Sequence, residues 1–290
     1  MLTEKQTERM LDKLKQFEET LENLMFRPVE EVSMGMYQTS ESLDRMPDRE
    51  LFHKAKKGDI WGGEGKYCWF AGDFVVPEYL DGKDLYLKPE IGGYEAMLWI
   101  DGVPYGIYTS KIIVHSHGNH YCNLMKKKAE VGEHVDIALE YYAHHYVMGT
   151  QPFSCNPHEK YEYSYNKVSV CLKDQEISDF YFDLKIVNQM TDVLDKNSFR
   201  RADIINTLYQ IHQIIYYDYE NAGHAEFMEA LRKAEPLLCN ILSKKNSETT
   251  PFAASPLPRS GYGPGLPAAG QPIPTDPKPP GCAGAGPQSW

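Results

Sequence analysis

The residues best suited to chemistry are a run of histidines, a set of tryptophans and a scatter of carboxylates. In His115-Ser-His-Gly-Asn-His120, alternate residues of a strand face the same way, so His115 and His117 could share one ion, with His120 as a third ligand. A cupin-type site would add a Glu four or five residues after the second His. Those positions hold Tyr121 and Cys122, so structural or turn histidines are favoured over a metal site. His144-His145 and the pair Cys155 and His158 match no standard zinc-ligand spacing. Glu78, Glu95, Asp101 and Glu140 are the acids available for glycoside chemistry, which needs two carboxyls facing across a cleft. Spacing alone pairs none of them, so no residue is assigned a catalytic role. Trp61, Trp69 and Trp99 offer stacking faces for a sugar ring, and Asp101 could accept sugar hydroxyls. Among these, Trp61, Trp99 and Asp101 form the candidate carbohydrate site, with Trp61, in Asp59-Ile-Trp-Gly-Gly63, in the most exposed setting. Core packing is the competing reading of each tryptophan, and turn geometry that of Asp101.

The elements that must position these residues follow from periodicity. Thr3 and Gln6 have capping-box spacing, and Met10, Leu14, Phe17, Leu21 and Leu24 recur at helical steps up to Pro28. From about Asp59 to Gln189 the period shortens. Ala96, Leu98 and Ile100 alternate with Met97 and Trp99, and Val135, Ile137, Leu139 and Tyr141 alternate likewise. Ile112-Ile-Val114, Val168-Val170-Leu172 and Phe180-Phe182-Leu184-Ile186 read as further strands. Short strands separated by turns such as Asp101-Gly102, with no helices between them, predict a mainly β fold, an antiparallel sandwich of jelly-roll type. Helical periods then return. Ile204, Leu208, Ile211 and Ile215 form one stripe, and Phe227, Leu231, Ala234, Leu238 and Ile241 a second, joined at Asn221-Ala-Gly223. The expected organisation is an N-terminal helix over 1–28, a sandwich over 29–189, a helical hairpin over 190–246 and a tail over 247–290. Eleven of the nineteen prolines follow Thr250, and such a Pro/Gly-rich tail is expected to be disordered.

Composition narrows the partners. A net charge of -11 argues against nucleic acid, whose phosphates demand clustered cations, and Lys126-Lys-Lys128 is too short to supply them. Six widely spaced cysteines suit free thiols in a reducing compartment better than a disulfide frame. The polar N-terminus lacks the apolar core of a signal peptide, and no apolar run is long enough to span a bilayer. A cytoplasmic location and no membrane partner are therefore expected.

Three segments carry a resemblance to a known family. Trp69-Phe-Ala-Gly-Asp-Phe-Val-Val-Pro-Glu78, Glu95-Ala-Met-Leu-Trp-Ile-Asp-Gly102 with Gly106, and Ala138-Leu-Glu-Tyr-Tyr142 resemble the N-terminal β-sandwich of the α-mannosidases of glycoside hydrolase family 38. The resemblance covers about residues 1–245. It implies mannose-containing glycans as partners, and a catalytic domain holding zinc or another divalent metal beyond the sandwich and its helical linker. The family would continue into a His-x-His-x-Asp segment and an Ala-Trp-Leu-Trp segment, and neither occurs in this sequence. The expectation is a chain truncated or frameshifted near Thr249, inactive as a mannosidase and without a cofactor of its own. A free-standing carbohydrate-binding module and an assembly module that forms homo-oligomers are the alternatives.

Overall fold

The computed structural model describes residues 3–93, 95–109, 120–145 and 160–244. Tyr94, the strand expected at Ile112–Val114, His115, His117, Cys155, His158 and the tail over 247–290 lie outside the described residues. In chain order come α1 (Glu4–Met25), β1 (Phe26–Glu31), β2 (Gly35–Thr39), β3 (His53–Lys54), β4 (Ile60–Gly62), β5 (Tyr67–Val75) and β6 (Leu85–Glu90). Then follow β7 (Glu95–Ile100), β8 (Val103–Thr109), β9 (Asn123–Lys126), β10 (His134–Tyr142), β11 (Glu162–Ser164) and β12 (Lys167–Lys173). The chain ends its described course in α2 (Gln175–Val193), α3 (Phe199–Ile214), α4 (Tyr219–Ala222) and α5 (His224–Ser243). No described helix is long and apolar enough to cross a membrane.

The chain divides into two compact units, one of Phe17–Tyr181 and one of Met1–Gln16 with Phe182–Trp290. The first is the sandwich. A four-stranded sheet of order β1-β12-β6-β9 and a six-stranded sheet of order β3-β2-β5-β10-β7-β8 are antiparallel throughout, and β11 pairs with β4 in a small third ladder. Their inner faces carry the alternating apolar residues predicted for them. Val135, Ile137, Leu139 and Tyr141 of β10, Ala96, Leu98 and Ile100 of β7, and Val168 and Val170 of β12 are all buried in one core. Pleating sends the intervening residues of β5, β7 and β10 to the opposite face of the six-stranded sheet.

Two sequence expectations need correction. The helix α1 stops at Met25, before Pro28, and the chain passes straight into β1. There Pro28 sits on the edge strand of the four-stranded sheet, beside a bulge, where its missing N–H costs no ladder bond. Strands therefore begin at Phe26, well before Asp59. The alternation of Phe180, Phe182, Leu184 and Ile186 belongs to α2, not to a strand. Its buried positions, Ile177, Phe180, Tyr181, Leu184 and Val187, recur at helical spacing, while Phe182 and Ile186 are about half exposed. Pro236 lies inside α5, which runs through it.

The second unit contains the expected pair of apolar stripes. Ile204, Leu208 and Ile211 are buried on α3, and Phe227, Leu231, Ala234, Leu238 and Ile241 on α5. Ser198 caps α3 by accepting the N–H of Arg201 at 3.2 Å. The short α4 and Gly223, at φ 77°, make the turn between them.

Candidate functional site

The outer face of the six-stranded sheet is assembled by strand register. One row across it reads Tyr37 on β2, Trp69 on β5, Glu140 on β10, Met97 on β7 and Ile107 on β8. The adjacent row on one side is Gly35, Ala71, Ala138, Trp99 and Pro104, and on the other Thr39, Tyr67, Tyr142, Glu95 and Thr109. The small Ala71 and Ala138 leave room above β10, and Trp69 and Trp99 approach each other there with ring centroids 5.6 Å apart and planes at 45°. A bulge between Leu98 and Trp99 in the β7–β8 ladder lets Tyr105 stand unpaired, an irregularity that increases local twist and turns the Trp99 edge of the sheet.

Leu43, Met46 and Phe52, from the segment joining β2 to β3, pack over part of this face. They bury Trp69 completely and leave Trp99 and Glu140 partly open. The indole nitrogens of both tryptophans are buried without a completed hydrogen bond. Such donors are costly unless a water or ligand oxygen accepts from them. Glu140, opposite Trp69 in register, has its carboxyl pushed above the ordinary carboxylate range by burial. The Trp99 N–H approaches closely enough to offset part of that rise without completing a bond. The result is a half-sheltered acid between two large aromatic side chains.

The two ends of the face differ. At one end the Tyr67 and Tyr142 rings lie 4.8 Å apart, and the Tyr142 hydroxyl meets His145 Nδ1 at 2.5 Å. Burial, then the neighbouring Tyr67 and Glu64, raise the Tyr142 phenol. At the other end Asp73 and Asp136 are paired across β5 and β10. Arg49 contacts Asp136 and reaches Asp73 at 3.5 Å, and His134 reaches Asp73 at 3.2 Å.

The predicted site residues are separated by the fold. Trp99 lies on the outer face, as the alternation of β7 requires. Asp101 sits in the β7–β8 turn with φ 51°, and Gly102 follows at φ 75°, the two positive values of a type I′ hairpin. Its Oδ1 accepts the N–H of Asp136 at 3.0 Å, which commits one carboxylate oxygen to the turn. Trp61 is the correction. It is 1% exposed, donates its indole N–H to the Ile91 carbonyl at 2.9 Å, and packs among Phe70, Tyr141 and Tyr163. Its neighbouring glycines signal crowding and not a loose loop. A Cβ on Gly62 would lie 2.2 Å from the Tyr161 carbonyl oxygen, and one on Gly93 would lie 3.0 Å from the Trp61 ring. Trp69 and Glu140 are legible as face residues from strand alternation. Tyr37 and Arg49 carry no comparable signal, because their places depend on the pairing of β2 and on the covering segment.

Among the described residues no three His, Cys, Asp or Glu side chains gather closely enough to hold a metal ion.

No family model matches the chain, and no curated protein matches it. About half of the chain is similar to parts of solved β-glucuronidase structures. For the Ruminococcus gnavus enzyme in complex with uronic deoxynojirimycin, the TM-score is 0.34 at 10% identity, over 52% of this chain and 29% of that one. For the Faecalibacterium prausnitzii enzyme the TM-score is 0.35 at 8% identity, over 52% and 32%. For the Bacteroides uniformis enzyme it is 0.33 at 11% identity, over 50% and 17%. The chain thus spans a third or less of the length of these proteins.

Proposed function

We propose that the sandwich binds a neutral sugar ring on the outer face of its six-stranded sheet, as a non-catalytic part of an α-mannosidase-type glycoside hydrolase. The observation that carries this reading is the half-open Trp99 beside Glu140, with Trp69 behind them. A pyranose presents an apolar C–H face that suits an indole, and hydroxyls that a carboxylate accepts in pairs. The family words around Glu95–Gly102 support the mannoside class, because they build the β7–β8 hairpin that carries Trp99. In this reading the chain binds mannosides and does not cleave them.

The test is a titration of the chain with α-linked mannobiose, followed by tryptophan fluorescence and by mannose release. Saturable quenching without release is expected. Trp99→Ala and Glu140→Gln should each weaken binding about tenfold, or about 1.4 kcal/mol. Unchanged affinity in Trp99→Ala, or no saturable binding, would overturn the glycan reading. Release of mannose would overturn the non-catalytic one.

A second reading, an assembly module, is favoured by one feature. Val103, Tyr105 and Ile107 of the edge strand β8 are 61%, 50% and 50% exposed. Concentration-dependent association in sedimentation, without sugar affinity, would select it.

A further inference from the structure

A cavity of about 490 Å³ lies apart from the tryptophan face, at the edge of the sandwich where β1 hands the chain from one sheet to β2 in the other. Its walls come from three chain segments tied together by main-chain bonds. The N–H of Val32 donates to the Val168 carbonyl at 2.9 Å, that of Ala55 to Met34 at 2.9 Å, and that of Gly58 to Tyr165 at 2.8 Å. Lys54, Lys57 and Lys167 line it, with Glu31 as the one acid among the lining residues. This is a local excess of positive charge in a chain whose net charge is -11. Lys54 and Lys57 make no ion pair among the described residues, and Lys167 comes only within 3.9 Å of Glu90. Glu90 is in turn engaged by the Asn166 amide at 2.7 Å. The Tyr165 phenol on the wall is pushed up to about 12, by burial first and then by the Glu31 charge, so it remains a hydroxyl donor at neutral pH.

We propose that this cavity binds a tetrahedral oxyanion, as free phosphate or as the phosphate ester of a sugar. Three ammonium groups on two segments, Lys54 and Lys57 on one and Lys167 on the other, can converge on one anion, which a single surface lysine cannot do. Lysine acts there as a compact point charge, with the Tyr165 hydroxyl and the Asn166 side chain as neutral neighbours. Glu31 opposes the anion and sets the affinity low. The site is independent of the glycan face and does not need that reading to hold.

The experiment uses the full chain and inorganic phosphate, followed by phosphorus NMR and calorimetry, with glucose 6-phosphate and glucose as companion probes. Saturable phosphate binding is expected at low salt. It should weaken severalfold when ionic strength rises to about 0.3 M, since the Debye length falls below 10 Å. The double change Lys57→Ala with Lys167→Ala should weaken it at least about tenfold, and Glu31→Gln should tighten it severalfold, because a repulsive charge is removed from a partly enclosed site. Far-UV circular dichroism of each variant checks that the fold is kept. Glucose 6-phosphate binding at least about tenfold tighter than phosphate would assign the site to a sugar phosphate, and equal affinities to free phosphate. Absence of saturable binding of either anion, or binding that neither the lysine pair nor Glu31→Gln alters, would overturn the proposal.

Discussion

Glu140 is where one proton connects the fold to the proposed binding. Burial raises its carboxyl in the folded chain above the roughly 4.3 of an unfolded glutamate, so the folded state holds the proton more tightly. Stability is therefore greatest below the unfolded value. It declines as pH rises through the window up to the folded value, and is level above it. Glu140→Gln removes this dependence. Its melting temperature minus that of the parent should be smallest at acid pH, grow across that window and then plateau above it. A difference that does not change with pH would mean the carboxyl is not sheltered as described. The same ionisation should strengthen mannobiose binding as pH climbs, since only the carboxylate accepts from two hydroxyls. Residue-scale reading of the sequence succeeded where alternation fixed the face. Trp99 follows Leu98 and precedes Ile100, both buried, so its outward placement was set once β7 was recognised. It failed at Trp61, where Gly62 and Gly63 suggest an open loop. Gly63 accommodates the nearby Lys66 and Gly62 accommodates Tyr161, and the second contact joins residues about a hundred positions apart. A Trp61→Ala change would accordingly report on folding and not on sugar affinity.

At the scale of elements, the strongest periodicities were read correctly and the short or ambiguous ones were not. The strands β7 and β10 and the helices α3 and α5 each repeat their apolar residues often enough to fix a period. The strand β1, Phe-Arg-Pro-Val-Glu-Glu, buries only Phe26, so it carries almost no alternation to detect. In α2 the apolar residues occur at both even and odd positions, and Phe180 to Ile186 imitates a strand until Ile177, Tyr181 and Val187 are included. Pro236 is the informative element-scale position. It lies inside α5 with no buried role of its own, on the exposed side of a stripe formed by Leu231, Ala234 and Leu238. A helix-interior proline removes one main-chain bond and crowds the preceding turn, at a cost of about 3 kcal/mol relative to alanine. Because no packing is lost with the ring, Pro236→Ala should stabilise the helical unit by roughly 1–3 kcal/mol. Thermal unfolding followed at 222 nm checks this. A lower melting temperature would show that the proline ring makes a contact the helix needs.

At the scale of the whole molecule, the division into two compact units makes a cooperative single transition the wrong expectation. Trp61, Trp69 and Trp99 all belong to the unit of Phe17–Tyr181, whereas α3, α4 and α5 belong to the other. Two probes therefore separate them. With Trp290→Phe in place, tryptophan fluorescence follows the sandwich alone, and ellipticity at 222 nm is weighted towards the helices. The sandwich holds its core through non-local pairings such as β5 with β10, closed over some sixty residues of chain. The helical unit rests on two apolar stripes, one on a helix that carries a proline on its exposed side. Regions with fewer long-range apolar contacts open at lower free energy, so the helical transition should come first. The two melting curves should be non-coincident, with the ellipticity midpoint below the fluorescence midpoint. Pro236→Ala should raise the first midpoint while leaving the second in place, and mannobiose should raise the second while leaving the first. Curves that superimpose under all these conditions would mean that α1 and α2, which contribute residues to both units, weld the chain into one cooperative body. In that case a substitution in either unit would shift both probes together.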